Sequence, residues 1–275
     1  MKFATRFSFS VVLVVVLVPF LTAQRRTASS AATTTLAVSQ SDAPDFCAHL
    51  FTVGTGTKYL QYCVTDNGNI TSIQTPFGVF HSGAQGEGYG LCQESPAVEY
   101  HDYAVSDSGN WQSPQIVSLT KSVIKISRTT SDGRWTLVQT ISKVAANASI
   151  KVVMALTNNA RSDQVAYLLR FADLDANQSI HAIAGASFES VWALDITPDS
   201  AHYGLQLQTT AKSPFGYQQG FARTIPDGPN ACDFAADSSR SGVADVSTNS
   251  SIAYVYAGLV PSLQTLTVTL SYHAL

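Results

Sequence analysis

The chain has 275 residues, 45% of them hydrophobic and only 13% charged, with 16 Lys+Arg against 19 Asp+Glu. Disorder throughout is excluded by that balance, and a net charge of −3 without a basic block leaves a nucleic acid nothing to grip. Ser, Thr, Gly and aromatic residues are abundant while Glu and Lys are sparse, which favours strands and turns over helices.

Lys2 and Arg6 precede an apolar run from Phe7 to Ala23, the charged and apolar regions of a secretory signal. The run is short for a bilayer span, which takes about 20 residues, and Pro19 near its end suits a processed signal better than a membrane helix. Residues 1–26 are expected to be a signal peptide, with Ala23, Ala28 or Ala32 as the last residue removed; an uncleaved anchor is the rival reading. Its loss takes away Lys2, Arg6, Arg25 and Arg26 but no acid, so the remainder is more acidic still. Residues 27–44, rich in Ser, Thr and Ala without periodicity, read as a flexible leader. The expectation is a single secreted or periplasmic domain over 45–275, with no transmembrane segment after cleavage.

In chain order, 46–53 and 57–65 read as strands joined by Gly54-Thr55-Gly56, and their antiparallel register places Cys47 opposite Cys63, close enough for a disulfide. Cys92 and Cys232 then remain to pair with each other, and the absence of any C-x2-C or C-x4-C argues against zinc. Asp66-Asn67-Gly68, between extended runs at 58–65 and 69–75, is a hairpin signal. Residues 83–90 (GAQGEGYG) lack the Lys and following helix of a phosphate cradle and read as a tight loop with positive φ angles. Glu87 and Tyr89 are the side chains that such a loop could offer a ligand. A strand over 98–103 places Glu99, His101 and Tyr103 on one face. Glu99 and His101 are candidates for acid and base, or for two metal ligands lacking a third, against the plainer reading of a solvated polar row. Trp111, in a loop between Gly109-Asn110 and Gln112-Ser113-Pro114, is with Tyr89 a candidate ligand-binding aromatic; Trp135 fits a core row with Leu137 and Ile141.

Strands over 122–129, 134–144, 149–158 and 164–172 follow. In the last, both faces are apolar except at Arg170, so it belongs in the middle of a sheet. A buried guanidinium there requires a carboxylate, expected from Asp173 or Asp175. Asp173, Asp175 and Asn177 also have the spacing that opens a Ca²⁺ loop, although Gln178 and Ala184 stand where its Gly and acid belong. An ion pair with a turn is the first reading and a structural Ca²⁺ site the second; no other cofactor is implied. Strands over 187–194, 203–209, 252–258 and 264–273 complete the series, the last with Leu266, Val268, Leu270 and Tyr272 on one face. Residues 212–247, polar and punctuated by Gly and Pro, read as a long excursion with little regular structure. About a dozen strands without a sustained helical stripe predict an all-β fold, a large antiparallel β-sandwich. No G-x-S-x-G, H-E-x-x-H or P-loop is present, and Asn69, Asn147, Asn177 and Asn249 each begin an N-x-S/T sequon.

Gly68-Asn69-Ile70, Pro76-Phe77-Gly78, Glu87-Gly88-Tyr89 and Arg170-x-x-Asp173-x-Asp175 resemble exported bacterial β-proteins of unassigned function. The strand layout over most of 45–275 is similar to the galactose-mutarotase-like supersandwich. That resemblance implies a fold shared by sugar epimerases, polysaccharide-active enzymes and non-catalytic carbohydrate modules. The paired catalytic histidines and glutamate of the mutarotases find no match, so their activity is not implied. The expected function is binding of carbohydrate or a cell-envelope component without catalysis. The alternative is a glycan-active hydrolase, lyase or epimerase using carboxylates among Glu87, Glu94, Glu99 and Asp102 with His81 or His101, and a purely adhesive role is the third possibility.

Overall fold

The computed structural model describes residues 47–82, 86–104, 106–174, 182–195, 203–210, 212–223, 230–236, 243–246 and 250–275. The first strands are β1 (His49–Val53), β2 (Leu60–Val64), β3 (Ile70–Gln74) and β4 (Phe80–Ser82). They are followed by β5 (Glu87–Gln93), β6 (Val98–Asp102), β7 (Gln115–Leu119), β8 (Val123–Thr129), β9 (Trp135–Val144), β10 (Ser149–Asn158) and β11 (Gln164–Leu174). The last are β12 (Ala182–Ala186), β13 (Ser190–Asp195), β14 (Gly204–Thr209), β15 (Tyr217–Arg223), β16 (Val243–Val246), β17 (Ser250–Val260) and β18 (Thr265–Ala274), with a short helix α1 (Asp233–Ala236) before β16. They assemble into a nine-stranded sheet (β16-β12-β13-β14-β18-β10-β9-β8-β7), a five-stranded sheet (β15-β17-β11-β5-β6) and a four-stranded one (β1-β2-β3-β4). Neighbouring strands pair antiparallel, as in the β10–β18, β11–β17 and β2–β3 ladders. The architecture is the antiparallel β-sandwich that the alternating pattern predicts.

Period-2 burial explains the layering. Trp135, Leu137 and Ile141 of β9, Ile150, Val152, Met154 and Leu156 of β10, and Val268, Leu270 and Tyr272 of β18 are all buried from one face of the large sheet. They meet Ala166, Leu168 and Ala172 of β11 and Ile252, Tyr254 and Tyr256 of β17, while the four-stranded sheet adds Tyr62, Val64, Ile70 and Ile73 to the same core. Strand β11 lies in the middle of its sheet, as its two apolar faces require.

A second apolar cluster covers the opposite face of the five-stranded sheet. Leu169 and Phe171 of β11, Ala253 and Val255 of β17, and Phe221 of β15 pack there with Tyr103, Ala231 and Phe234. The cover comes from the chain around α1, tied down by Cys92–Cys232. The stretch read as an irregular excursion therefore contains β15, α1 and β16. Its Gly and Gln residues hid β15, because Gln219 and Gly220 are buried without forming an apolar row.

Cys47–Cys63 is also formed, but not by the geometry expected. The ladder pairs Leu50 with Cys63, and Cys47 reaches its partner from the chain before β1. A 3₁₀ turn at Gly56–Lys58 lengthens the connection and shifts the register. The Asp66-Asn67-Gly68 turn does join β2 to β3, with Gly68 at φ +93°. Of the glycine-rich stretch, by contrast, residues 87–90 are strand. A Cβ on Gly88 would lie 1.9 Å from the Asp102 carbonyl oxygen, and one on Gly90 would lie 2.6 Å from the Tyr103 hydroxyl. Close approach of neighbouring groups, more than a turn, demands these glycines.

Among the described residues no helix is long and apolar enough to cross a membrane. The two disulfides fit an oxidising compartment.

Candidate functional site

Three polar constellations stand out, and burial separates them. The first surrounds Arg170, whose side chain projects inward from β11. Asp173 lies three residues on and so belongs to the other face of the strand, which is why it is not the partner. Glu87 of β5 is: Arg170 Nε and Nη2 each lie 2.6 Å from Glu87 Oε1. Nη1 donates to Gln139 Oε1 at 2.6 Å and Nη2 to the Gly68 carbonyl at 3.1 Å. Tyr272 accepts from Arg170 Nε at 2.9 Å and donates to Glu87, which also accepts the Ile70 amide. Both charged groups are fully buried. Burial raises the Glu87 carboxyl even against the pull of Arg170, and Glu87 and Tyr272 raise the guanidinium against its own burial. Glu87 is thus a sealed structural carboxylate with no face open to substrate.

A second buried pair adjoins it. Arg128, on the inward row of β8 after Ile124 and Ile126, donates to Asp102 Oδ2 at 2.5 Å and to the Tyr89 hydroxyl at 3.0 Å. Asn69 clamps β5 to β6, its amide donating to the Glu87 carbonyl at 3.1 Å and to the Asp102 carbonyl at 2.9 Å. Trp111 is only 7% exposed, edge-on to Tyr89 at 5.4 Å and to Tyr100 at 6.0 Å, with the Arg128 guanidinium 5.5 Å from its ring centre. Tyr89 and Trp111 therefore spend their faces on packing. An apolar row ending in Arg128 was the sequence signal for this pair.

The third constellation is accessible. Glu99 and His101 share the outer face of β6, and His101 Nδ1 lies 2.6 Å from Glu99 Oε1, with side chains 21% and 18% exposed for His and Glu. His101 stacks on Tyr103 at 4.9 Å, and its Nε2 lies 3.2 Å from Ser106 Oγ. The hydrogen bond to Glu99 raises the imidazole pKa above its usual value, overcoming partial burial. Of the other candidates, Glu94 is exposed and accepts from Tyr167 at 3.4 Å, and His81 is buried against the Thr75 carbonyl. Asp173 Oδ1 accepts from Ser251 at 3.0 Å, while Asp175 and Asn177 lie outside the described residues. Among the described residues no group of three His, Cys, Asp or Glu side chains could hold a metal ion.

One open cleft of about 360 Å³ is lined by Phe188, Lys212, Ser213, Gly216, Tyr217 and Gln218. Phe188 sits in the turn between β12 and β13 and is 60% exposed. Its carbonyl accepts from Gln218 Nε2 at 3.2 Å and from the Tyr254 hydroxyl, and Gln218 Oε1 accepts the Ser213 amide at 2.8 Å. Two turns distant in sequence are locked together through the Phe188 carbonyl, with its aromatic ring exposed to solvent. No site was expected at these residues: Phe188 was read inside a strand over 187–194, which begins only at Ser190, and the others fall in the segment read as irregular.

No family model matches the chain, and no curated protein matches it in sequence. Among solved structures it is similar to a bacterial glucoamylase complexed with acarbose, with TM-score 0.56 and 10% identity over 82% of this chain and 32% of that one. It thus spans about a third of the glucoamylase. A protein described as an aldose 1-epimerase, from Escherichia coli K12, aligns over 82% of this chain and 99% of its own, with TM-score 0.48 and 10% identity. A galactose mutarotase related enzyme from Lactobacillus acidophilus aligns over 82% and 97%, with TM-score 0.40 and 6% identity. At 10% identity the likeness to the glucoamylase is one of fold alone.

Proposed function

We propose that this is an exported carbohydrate-binding sandwich that takes saccharides or a glycan of the cell envelope in the Phe188–Tyr217 cleft. The observation that carries the reading is the exposed Phe188 ring beside Tyr217, on a backbone fixed through its carbonyl, with Lys212, Ser213 and Gln218 supplying polar groups around it. An aromatic face stacks on the apolar side of a sugar ring while nearby donors and acceptors read its hydroxyls. Fixing the backbone that carries the ring beforehand lowers the entropy cost of binding. Supporting it are the glucoamylase likeness, the disulfides and the signal-like start of the chain.

A thermal-shift screen against soluble oligosaccharides, with Ca²⁺ and EDTA arms, tests this. Ligand at about 100 times its Kd stabilises the native state by roughly 2.7 kcal/mol. A dose-dependent rise with one sugar class that Phe188→Ala and Tyr217→Ala both abolish is the expected result. A flat panel, or a rise that both variants keep, removes the cleft as the binding site. A drop with EDTA alone, reversed by Ca²⁺, would show a structural cation, for which the segment around Asp173 is the proposed holder. For the enzymatic alternative, burial of Glu87, Asp102 and His81 favours Glu99 with His101, Glu94 being the other accessible carboxylate among the candidates.

A further inference from the structure

The Glu99–His101 pair does not stop at the imidazole. Chain reversal after β6 brings Ser106 back over the strand: the Tyr103 amide donates to the Ser106 carbonyl at 2.8 Å, and the Ser108 amide donates to the His101 carbonyl at 3.0 Å. Ser108 Oγ accepts the His101 amide at 3.1 Å, fixing the backbone beneath the ring. Tyr103 stacks on one face of the ring at an interplanar angle of 8°, fixing its rotation. Glu99 is anchored from two sides: the Ala231 amide approaches Oε1 at 3.5 Å, and Asn110 Nδ2 donates to the Glu99 carbonyl at 3.1 Å. The result is a linear order, Ser106 Oγ to His101 Nε2 at 3.2 Å and His101 Nδ1 to Glu99 Oε1 at 2.6 Å. Nucleophile, base and orienting carboxylate are thereby in hydrogen-bond reach, the arrangement that activates a serine hydroxyl.

The amide of the next residue is left out of the pairing with β6. Asp107 bridges Asp102 as an antiparallel pair whose flanking residues make the hydrogen bonds, so the Asp107 amide points away from β6. The amide after the nucleophile is the one that a serine hydrolase directs at the developing oxyanion. Arg128 Nη2, 3.4 Å from Asp107 Oδ2, offsets the carboxylate charge beside it.

We infer that Ser106, His101 and Glu99 form a relay that cleaves small carboxylic esters. Ser106 Oγ attacks the ester carbonyl carbon while its proton passes to His101 Nε2. The tetrahedral intermediate collapses, the C–O bond to the alcohol breaks, and the alcohol leaves with the proton from His101. Water, deprotonated by His101, then attacks the acyl-serine, releasing the carboxylic acid and restoring Ser106. Glu99 acts as a positioning residue that holds the Nε2 lone pair towards Ser106. The inference does not rest on the sugar cleft, and its substrates need contain no sugar.

The test uses the intact protein with a fluorophosphonate probe and with 4-nitrophenyl acetate. One equivalent of probe on Ser106, located by peptide mass mapping, is the expected result. Ser106→Ala should abolish the label, and both it and His101→Gln should lower ester hydrolysis by about a hundredfold with an unchanged far-UV spectrum. No label on the parent, label on another residue, or label that survives Ser106→Ala overturns the relay. For Glu99, the readout is the pH profile of labelling. The charged and titratable groups near the imidazole are Glu99 on its own strand, Asp102 and Asp107 at the reversal, and the stacked Tyr103. Glu99→Gln should keep the label and move the midpoint to lower pH, and an unmoved midpoint would make Glu99 structural only.

Discussion

Replacing Glu87 by Ala would strand a fully buried guanidinium. Arg170 would lose its carboxylate at 2.6 Å and keep only the Gln139, Gly68 and Tyr272 oxygens, while the Ile70 amide would lose its acceptor. Removing one partner of a buried pair costs about 3–5 kcal/mol, a large share of the roughly 5–15 kcal/mol that holds a domain folded. With a urea slope of about 3 kcal/mol/M, a loss near 4 kcal/mol lowers the midpoint by about 1.3 M. Glu87→Ala combined with Arg170→Met removes both charges and leaves only neutral groups, the Gln139, Gly68 and Tyr272 oxygens and the Ile70 amide, without their partners, so it should be more stable than Glu87→Ala alone, with a coupling of about 2–3 kcal/mol in the cycle. Urea unfolding of the disulfide-intact protein, followed by both fluorescence and circular dichroism, supplies the four numbers. A Glu87→Ala loss below about 1 kcal/mol would refute the reasoning, as would a double variant that loses the sum of the singles.

The Cys92–Cys232 bridge spans 140 residues, so replacing both cysteines by Ser should cost roughly 5 kcal/mol in the chain-entropy account, seen as a lower urea midpoint; an unchanged midpoint would show that the apolar cover around α1 holds unaided. Gly90→Ala places a methyl group 2.6 Å from the Tyr103 hydroxyl and 3.1 Å from Ala231 Cβ and should cost about 1–3 kcal/mol by calorimetry, with a neutral result contradicting the packing. Burial lowers the pKa of His81 and His273, so the unfolded chain binds more protons below pH 6.5 and their contribution to stability is lost as pH falls from 6.5 through the folded values. His101, raised by Glu99, does the reverse: its contribution is present below 6.5 and fades as pH rises through its folded value. Thermal midpoints from pH 8 to 5 should fall less in His81→Gln than in the parent, and parallel curves would discard the assignment.

The strands that alternate cleanly were legible. In β18 the row Leu266, Val268, Leu270 and Tyr272 turns inward as read, and β9 buries Trp135 with Leu137 and Ile141. Strand β5 was not legible, because all seven of its residues are buried, yet Gly88, Gly90 and Cys92 make up one of its rows and Glu87 and Gln93 end the other. The need of Arg170 for a carboxylate was readable, but its identity was set by pairing of β11 with β5, a contact 83 residues apart in sequence. Glu99 and His101 fall on one face as period 2 requires, whereas Ser106 joins them only through the chain reversal after Asp102. The Phe188 cleft left no local signature, since neither of its turns forms it alone.

Asn69 bears on how the protein can be made. In sequence it opens an N-x-S/T acceptor site, yet its side chain is fully buried and clamps two strands through their carbonyls. A glycan transferred during translation would occupy the amide nitrogen that donates both bonds, and β5 could not seat beside β6. Asn147, at the exposed turn between β9 and β10, could carry a glycan without disturbing the fold. Production in a host that glycosylates asparagine thus sets glycan transfer against closure of the β2–β3 hairpin, and Asn69 occupancy becomes a measure of how early that hairpin forms.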